Sequence, residues 1–460
     1  MIRSAAALLI LLASAGFACA APVLMISIDG MKPEYVLQAD AHGLKIPYLR
    51  ALVKNGSYAE GVVGVWPTIT YPSHTTLVTG VAPSMHRIEA NLEFDPLHDR
   101  QEPWYWYADQ IHSPTLWQAT HGAHRITASV GWPATVGAEI DYLIPEFWRV
   151  VGLTKDPDPS DRSLIAALAR PTDLLEQLQP SAGPYMMAND NSLDGDAIKT
   201  RYSVEILRRF HPAFMTVHLS SLDEAQHAHG PFSAEANADL EGLDPLIERL
   251  AQAALTADRA SIVVIVSDHG FMPVTEQVNL TIPFIQAGLI ELAGDASPAS
   301  SKFKSWKAEP WFAGGMAAIM LHDPYDRDTI GKVGQLLRKL AADPDNGIAQ
   351  IDTREQMRAL GGFPGATFVV EFAPGYYSGG NLSGPLLTPM PAGHGGHGYS
   401  PQRPEMQAAF FAAGDGVAAA RNLGLINMLQ IAPTVASLLG VSLPSSKGAV
   451  LDLEAPRQQK

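Results

Sequence analysis

Three apolar runs limit what this chain can fold into: "PVLMISID" (22–29), "AFMTVHLSSLD" (213–223) and "SIVVIVSDHG" (261–270). Each is rich in β-branched residues, and helices are expected ahead of the second and third, over 198–210 and 234–257. Apolar strands alternating with helices predict an α/β fold, in which a mostly parallel sheet is covered on both faces. All three runs end in acid: Asp29, Asp223 and Asp268. In open α/β sheets the carboxyl ends of the strands form the crevice where ligands bind.

The chain has 460 residues, 47% hydrophobic and 17% charged, enough for a large core and two domains. Residues 21–280 and 376–460 are expected to form the core, with an insertion rich in Trp and Tyr over about 92–150. Residues 281–375 have a different texture and are read as a smaller inserted cap domain. Within it, "SKFKSWKAEPWFAGGMAAIMLHD" and "DRDTIGKVGQLLRKLAAD" predict a strand-helix unit, while "ATFVVEFAPGYYSGG" is a strand of either layer. The opening "MIRSAAALLILLASAGFACA" has the basic, apolar and small-residue order of a signal peptide (1–20), cleaved after Ala20. A bacterial periplasmic or secreted location is expected, with no transmembrane segment after cleavage; a retained anchor is the alternative. Gly16-Phe17-Ala18 ahead of Cys19 is a poor lipoprotein signal.

Cys19 is the only cysteine, so the mature chain offers no disulfide, thiolate ligand or cysteine nucleophile. A transition metal would have to be held by His, Asp and Glu. The formal net charge of −15 argues against a surface that coats nucleic acid, but not against a small anionic substrate, since bound divalent ions reverse the local field.

Asp223 and His227 stand four residues apart in "LDEAQHAHG", a spacing that puts both on one face of a helical turn. Asp268 and His269 are adjacent at a strand end, Asp29 precedes Gly30, and His394 and His397 lie in a glycine-rich loop. Singly, each is an ordinary cap or a structural histidine. Jointly, three carboxylates delivered to one sheet edge would repel one another and be costly to desolvate unless cations joined them. Mixed Asp and His ligation suits zinc, ahead of manganese or iron. In "TITYPSHTTLVTG" (68–80), Thr70 precedes a Tyr-Pro pair that opens a helix. Locally it is either a helix cap or a nucleophile.

Five segments, "ISIDGMKPEYV", "TITYPSHTTLVTGVAPSMHRIEAN", "LDEAQHAHG", "VSDHGF" and "HGGHGYSPQRPEM", occur in this order. Together they resemble the nucleotide pyrophosphatase/phosphodiesterases of the alkaline phosphatase superfamily, over nearly the whole mature chain. The resemblance implies an alkaline-phosphatase-like core and two Zn2+ ions. Asp223, His227 and His397 would hold one ion, and Asp29, Asp268 and His269 the other, with Thr70 beside it. His394 would stand behind the ligands, and His229 and His74 have no ligand match. The resemblance makes Thr70 the nucleophile, forming a covalent phospho-threonine, and gives Asn91 a nonbridging phosphate oxygen to bind.

The implied activity is hydrolysis of small phosphate diesters, nucleotide-like or lipid-headgroup-like. Tyr71 matches one wall of a base-binding sandwich, and Phe147 or Trp148 in "IPEFWRV" would supply the other. "WYWYADQ" (104–110) is open between pocket and core. Arg87 stands where the family usually has Gly; aimed into the site it would favour monoesters, and otherwise it is a surface arginine. The alternatives are therefore a zinc phosphomonoesterase of the same superfamily and a noncatalytic secreted binding protein stabilised by metal.

Overall fold

The computed structural model describes residues 20–100, 103–148, 159–185, 191–293 and 302–455. The signal-peptide segment, apart from Ala20, lies outside them. Among the described residues no helix is long and apolar enough to cross a membrane.

An eight-stranded sheet forms the centre. Its order is Arg421–Asn422, Ser57–Tyr58, Phe410–Gly414, Ile262–Val266, Val23–Ile28, Phe214–Leu219, Thr127–Val130 and Tyr142–Ile144. The five strands from Ile262–Val266 to Tyr142–Ile144 are mutually parallel, and Phe410–Gly414 joins them antiparallel. Strand Val23–Ile28 is wholly buried, and its alternate residues serve opposite faces. Leu24, Ile26 and Ile28 pack with Ile206, Leu243 and Ile247 from helices Leu193–Phe210 and Ala234–Ala257. Val23 and Met25 pack with Leu77, Ile431 and Val435 from helices Thr70–Thr79 and Ile431–Leu439. Both faces are thus covered, and this sandwich explains why the strand sequences read as unbroken apolar runs.

Register brings the strand ends together. Ser27 lies opposite Val266 and Ile28 opposite Leu219, while the Asp29 N–H donates to the Leu219 carbonyl at 2.9 Å. Asp29 and Asp268 therefore leave the sheet at the same level on neighbouring strands.

The stretch from 92 to 150 departs from its reading as an insertion. Thr127–Val130 and Tyr142–Ile144 are strands of the central sheet, because their short apolar cores pair in parallel beyond Phe214–Leu219. A second, antiparallel sheet has the order Ala308–Phe312, Met316–Leu321, Phe368–Phe372, Ile348–Thr353, with helix Arg327–Ala341 following its second strand in sequence. "ATFVVEFAPGYYSGG" is divided between two sheets, since Phe368–Phe372 joins this one and Gly375–Ser378 pairs with Met272–Val278 in a third, separate from the central sheet.

Candidate metal and phosphoryl-transfer site

Besides the end of strand Ile262–Val266, which is followed by Asp268 and His269, three local structures deliver side chains to the sheet edge. Asp29 sits on a corner closed by Gly30, whose φ of +68° only glycine adopts easily. The Gly30 N–H donates to Asp268 Oδ1 at 3.1 Å, and the Gly30 carbonyl accepts from Gln226 Nε2 at 2.9 Å. Helix Ser221–His229 starts directly after its strand and carries Asp223 and His227 one turn apart. The buried Asp196 carboxylate receives the Ser220 and Ser221 N–H groups at its start, at 3.2 and 2.9 Å. The pair Gly395–Gly396 is antiparallel to Met272 and Pro273, and this pairing sets His397 beside His269. The two imidazoles stack with centroids 3.7 Å apart.

Two triads result. His227 Nε2 lies 3.1 Å from His397 Nε2 and 3.5 Å from Asp223 Oδ2, and His397 Nε2 lies 3.8 Å from Asp223 Oδ1. His269 Nε2 lies 3.1 Å from Asp268 Oδ2 and 3.4 Å from Asp29 Oδ1. Tetrahedral ligands held about 2.0–2.1 Å from a zinc ion would stand roughly 3.3 Å apart, close to these separations. His269 also falls within 4.8 Å of the Asp223 and His397 ligand atoms, so the two triads share a border. In the first, Asp223 and His227 are partly exposed and His397 is buried, whereas Asp29, Asp268 and His269 are all buried.

The polypeptide leaves this cluster electrically unfinished. Burial, followed by the charges of Asp268 and Asp223, pushes the Asp29 carboxyl well above its ordinary value. Burial also raises Asp223, against the pull of His227 and His269. Asp268 goes the other way: burial opposes its charge, but His269 and His74 outweigh it and hold the carboxyl well below the usual range. Burial disfavours the His269 cation, yet Asp268, Asp29 and Asp223 raise its pKa to about 9. Asp29 Oδ1, Asp223 Oδ1, Asp268 Oδ2 and His269 Nε2 are enclosed and meet no well-aligned hydrogen-bond partner, the last two facing each other only as an ion pair at 3.1 Å. Buried polar atoms are normally paired, so four orphans converging on two centres fit cations with oxygen and nitrogen ligands. The donor set suits zinc.

Thr70 is the first residue of helix Thr70–Thr79, not its cap; Ile69 holds the cap position and no side chain caps the helix. Thr70 is partly exposed. Its carbonyl bonds His74 Nδ1 at 2.9 Å, the same nitrogen being 3.5 Å from Asp268 Oδ2. The preceding turn is tied to the other triad, since the Thr68 carbonyl bonds His397 Nδ1 at 3.2 Å. Asn91 Oδ1 accepts from the Tyr71 N–H at 2.9 Å, which leaves the Asn91 amide N–H groups as the free donors.

Several expected roles change. Tyr71 has no open face for a ligand: it is fully buried, its ring lies 5.3 Å from that of Trp104, and its hydroxyl donates to Glu146 Oε1 at 2.7 Å. The aromatic residues after Asn91 cover it. Phe147 and Trp148 are half-buried and pack on Trp106 at 5.1 and 4.3 Å, so "WYWYADQ" and "IPEFWRV" form one cluster. Half-exposed Arg87 pairs with buried Glu89 at 3.1 Å, which supports its reading as a loop arginine. His229 is exposed, and His394 Nδ1 is enclosed without a hydrogen bond. His74 is occupied by Ser27 Oγ and the Thr70 carbonyl.

The sequence reading passed over His218 and Glu146. His218 Nε2 lies 2.9 Å from Asp29 Oδ2, and Nδ1 lies 3.1 Å from Glu146 Oε2. A histidine inside an apolar strand is the signal that was available: such a residue needs two polar partners, and strand ends are where they occur.

The pattern of the type I phosphodiesterase / nucleotide pyrophosphatase family matches residues 23–400. The mouse ectonucleotide pyrophosphatase/phosphodiesterase family member 1 is 26% identical over 261 residues, covering 54% of this chain and 24% of that protein. The match thus spans about a quarter of the relative's length. Among solved structures, murine ectonucleotide pyrophosphatase/phosphodiesterase 5 superposes with a TM-score of 0.64 at 20% identity, over 94% of this chain and 100% of the other. An inactive threonine-to-alanine variant of the same murine protein, in complex with AMP, gives 0.61 at 19% identity, over 93% and 97%. These likenesses show the fold.

Proposed function

This chain belongs to the type I phosphodiesterase / nucleotide pyrophosphatase family, and from that premise we propose that it hydrolyses small phosphate diesters with Thr70 as nucleophile and two zinc ions as cofactors. The observation that carries this reading is the set of four orphaned ligand atoms shared between two Asp/His triads, both tied to the turn that presents Thr70. Asp223, His227 and His397 would hold one ion, and Asp29, Asp268 and His269 the other. Bound zinc supplies Lewis acidity toward the Thr70 hydroxyl and the phosphoryl oxygens.

The chain's own residues do the rest. The Thr70 hydroxyl passes its proton to solvent as Oγ1 bonds to phosphorus, and the P–O bond to the leaving group breaks, the leaving oxygen taking one proton back from solvent. Water then adds to phosphorus opposite Thr70 as the Oγ1–P bond breaks, and the proton that water loses restores the Thr70 hydroxyl, so two inversions give net retention. Asn91 donates to a nonbridging oxygen. It is neutral and suits the single negative charge of a diester. The AMP complex of the murine structural relative favours a nucleotide-like ester, which the aromatic cluster of Trp104, Trp106, Phe147 and Trp148 would flank. We further assign residues 281–375 as a cap over the core. The opening segment is assigned as an export signal to the periplasm or beyond.

The test uses zinc-loaded protein on bis-p-nitrophenyl phosphate and p-nitrophenyl phosphate side by side, with Thr70→Ala as the control. Faster diester turnover that Thr70→Ala abolishes while zinc and fold are retained supports the proposal. Faster monoester turnover favours the phosphomonoesterase, and undiminished activity in Thr70→Ala removes Thr70 as nucleophile. No turnover of either ester by fully loaded protein favours a binding protein.

A further inference from the structure

A continuous hydrogen-bonded path runs beneath the site. Asp29 Oδ2 meets His218 Nε2 at 2.9 Å, and His218 Nδ1 meets Glu146 Oε2 at 3.1 Å and the Gly131 carbonyl at 3.0 Å. Glu146 Oε1 accepts from the Tyr71 hydroxyl at 2.7 Å, and the Tyr71 N–H donates to Asn91 Oδ1 at 2.9 Å. The partners come from six places in the sequence, and His218 and Tyr71 are fully enclosed.

The path decides which atoms remain free. By engaging Asp29 Oδ2, His218 leaves Oδ1 as the unpaired oxygen facing His269. By engaging Asn91 Oδ1, the Tyr71 N–H leaves the amide donors. Tyr71 also follows Thr70 directly on the helix, so anchoring its hydroxyl fixes the rotation of the turn that presents Thr70. One carboxylate, with one oxygen on each branch, joins both selections. We propose that Glu146 is a positioning residue that fixes, through His218, the orientation of Asp29 and, through Tyr71, the orientation of Thr70 and Asn91. This inference rests on the function proposed above.

The test compares Glu146→Ala, Glu146→Gln and His218→Gln with wild type. Zinc retention is measured against a chromophoric chelator, and kcat and KM are measured on bis-p-nitrophenyl phosphate. Groups that orient metal ligands typically change affinity or activity by about 10–100-fold when removed. Glu146→Ala should therefore keep one zinc ion at a chelator concentration where wild type keeps two. Its kcat should fall by about tenfold or more, with KM changed far less. Glu146→Gln preserves an acceptor for Tyr71 but not for His218, so it should lie between the two, and it keeps the test open if the alanine variant misfolds. Glu146→Gln/His218→Gln should be no worse than His218→Gln alone, because both break one path.

Retention of both ions with unchanged kcat in Glu146→Ala would overturn the proposal. So would parallel loss of both ions together with thermal stability, which is the signature of packing alone. Wild-type protein that binds two ions but hydrolyses no ester would overturn the phosphodiesterase reading, while selective zinc loss in Glu146→Ala would still support the role of Glu146 toward Asp29.

Discussion

Gly30→Ala isolates how tightly the corner after Asp29 is built. Gly30 has φ +68°, and a Cβ there would lie 2.6 Å from Phe271 Cε2 and 2.9 Å from Gln226 Nε2. Gly43 has φ +67° with nothing within 4 Å of an added Cβ, so it carries the backbone penalty without the collision. A left-handed non-glycine residue costs about 1–2 kcal/mol, which is the whole expected effect of Gly43→Ala. Overpacking adds about 1–3 kcal/mol, so Gly30→Ala should lose about 2–5 kcal/mol in urea unfolding. Relief of the clash must push either Phe271, which packs on His397 at 5.1 Å, or the Asp29 corner itself. Gly30→Ala should therefore also lose zinc under chelator challenge, while Gly43→Ala should retain it. Equal destabilisation of the two variants, with zinc unaffected in both, would refute the claim that close packing at Gly30 holds Asp29 in place.

Two further outcomes follow from groups outside the triads. Burial raises the Glu309 carboxyl to about 7, with His98 at 2.9 Å pulling it down and Asp95 pushing it up. The folded chain therefore holds this proton between roughly pH 4.5 and 7 while the unfolded chain has released it, so stability falls as pH rises through that window. Glu309→Gln should remove up to about 3 kcal/mol of that fall, read from urea unfolding at pH 5 and pH 8; identical pH dependence in both proteins would contradict the assignment. Because Arg87 is engaged by Glu89, Arg87→Ala should leave the ratio of diester to monoester kcat/KM within about twofold, a small change on the free-energy scale, whereas a large rise in the ratio would show Arg87 acting on the phosphoryl group.

Much of this architecture is legible in the sequence because its cause is local. Continuous burial on both faces writes itself as unbroken apolar runs, and parallel register puts the residues ending those runs at one edge; Asp29 and Asp268 needed nothing more. The four-residue spacing of Asp223 and His227 reports a helix directly. His397 was reached only through the family resemblance, since what places it is the pairing of Gly395–Gly396 with a strand more than a hundred residues earlier. The path through His218 and Glu146 was missed because its partners are 72 and 189 residues apart and a lone histidine in an apolar strand has an ordinary structural reading. The burial of Tyr71 is illegible for a similar reason: adjacency to Thr70 says nothing about Trp104 and Trp106, which pack against its ring. The segment 92–150 looked like an insertion because its two sheet strands are only four and three residues long, too short to stand out among aromatic residues.

The central claim is that two cations complete the cluster of orphaned carboxylate and imidazole atoms. Crystals grown with zinc and measured on both sides of the zinc absorption edge test it most directly. The account predicts two anomalous peaks, one enclosed by Asp29, Asp268 and His269 and the other by Asp223, His227 and His397. Zinc absent from both positions, or bound only elsewhere on the protein, would contradict it.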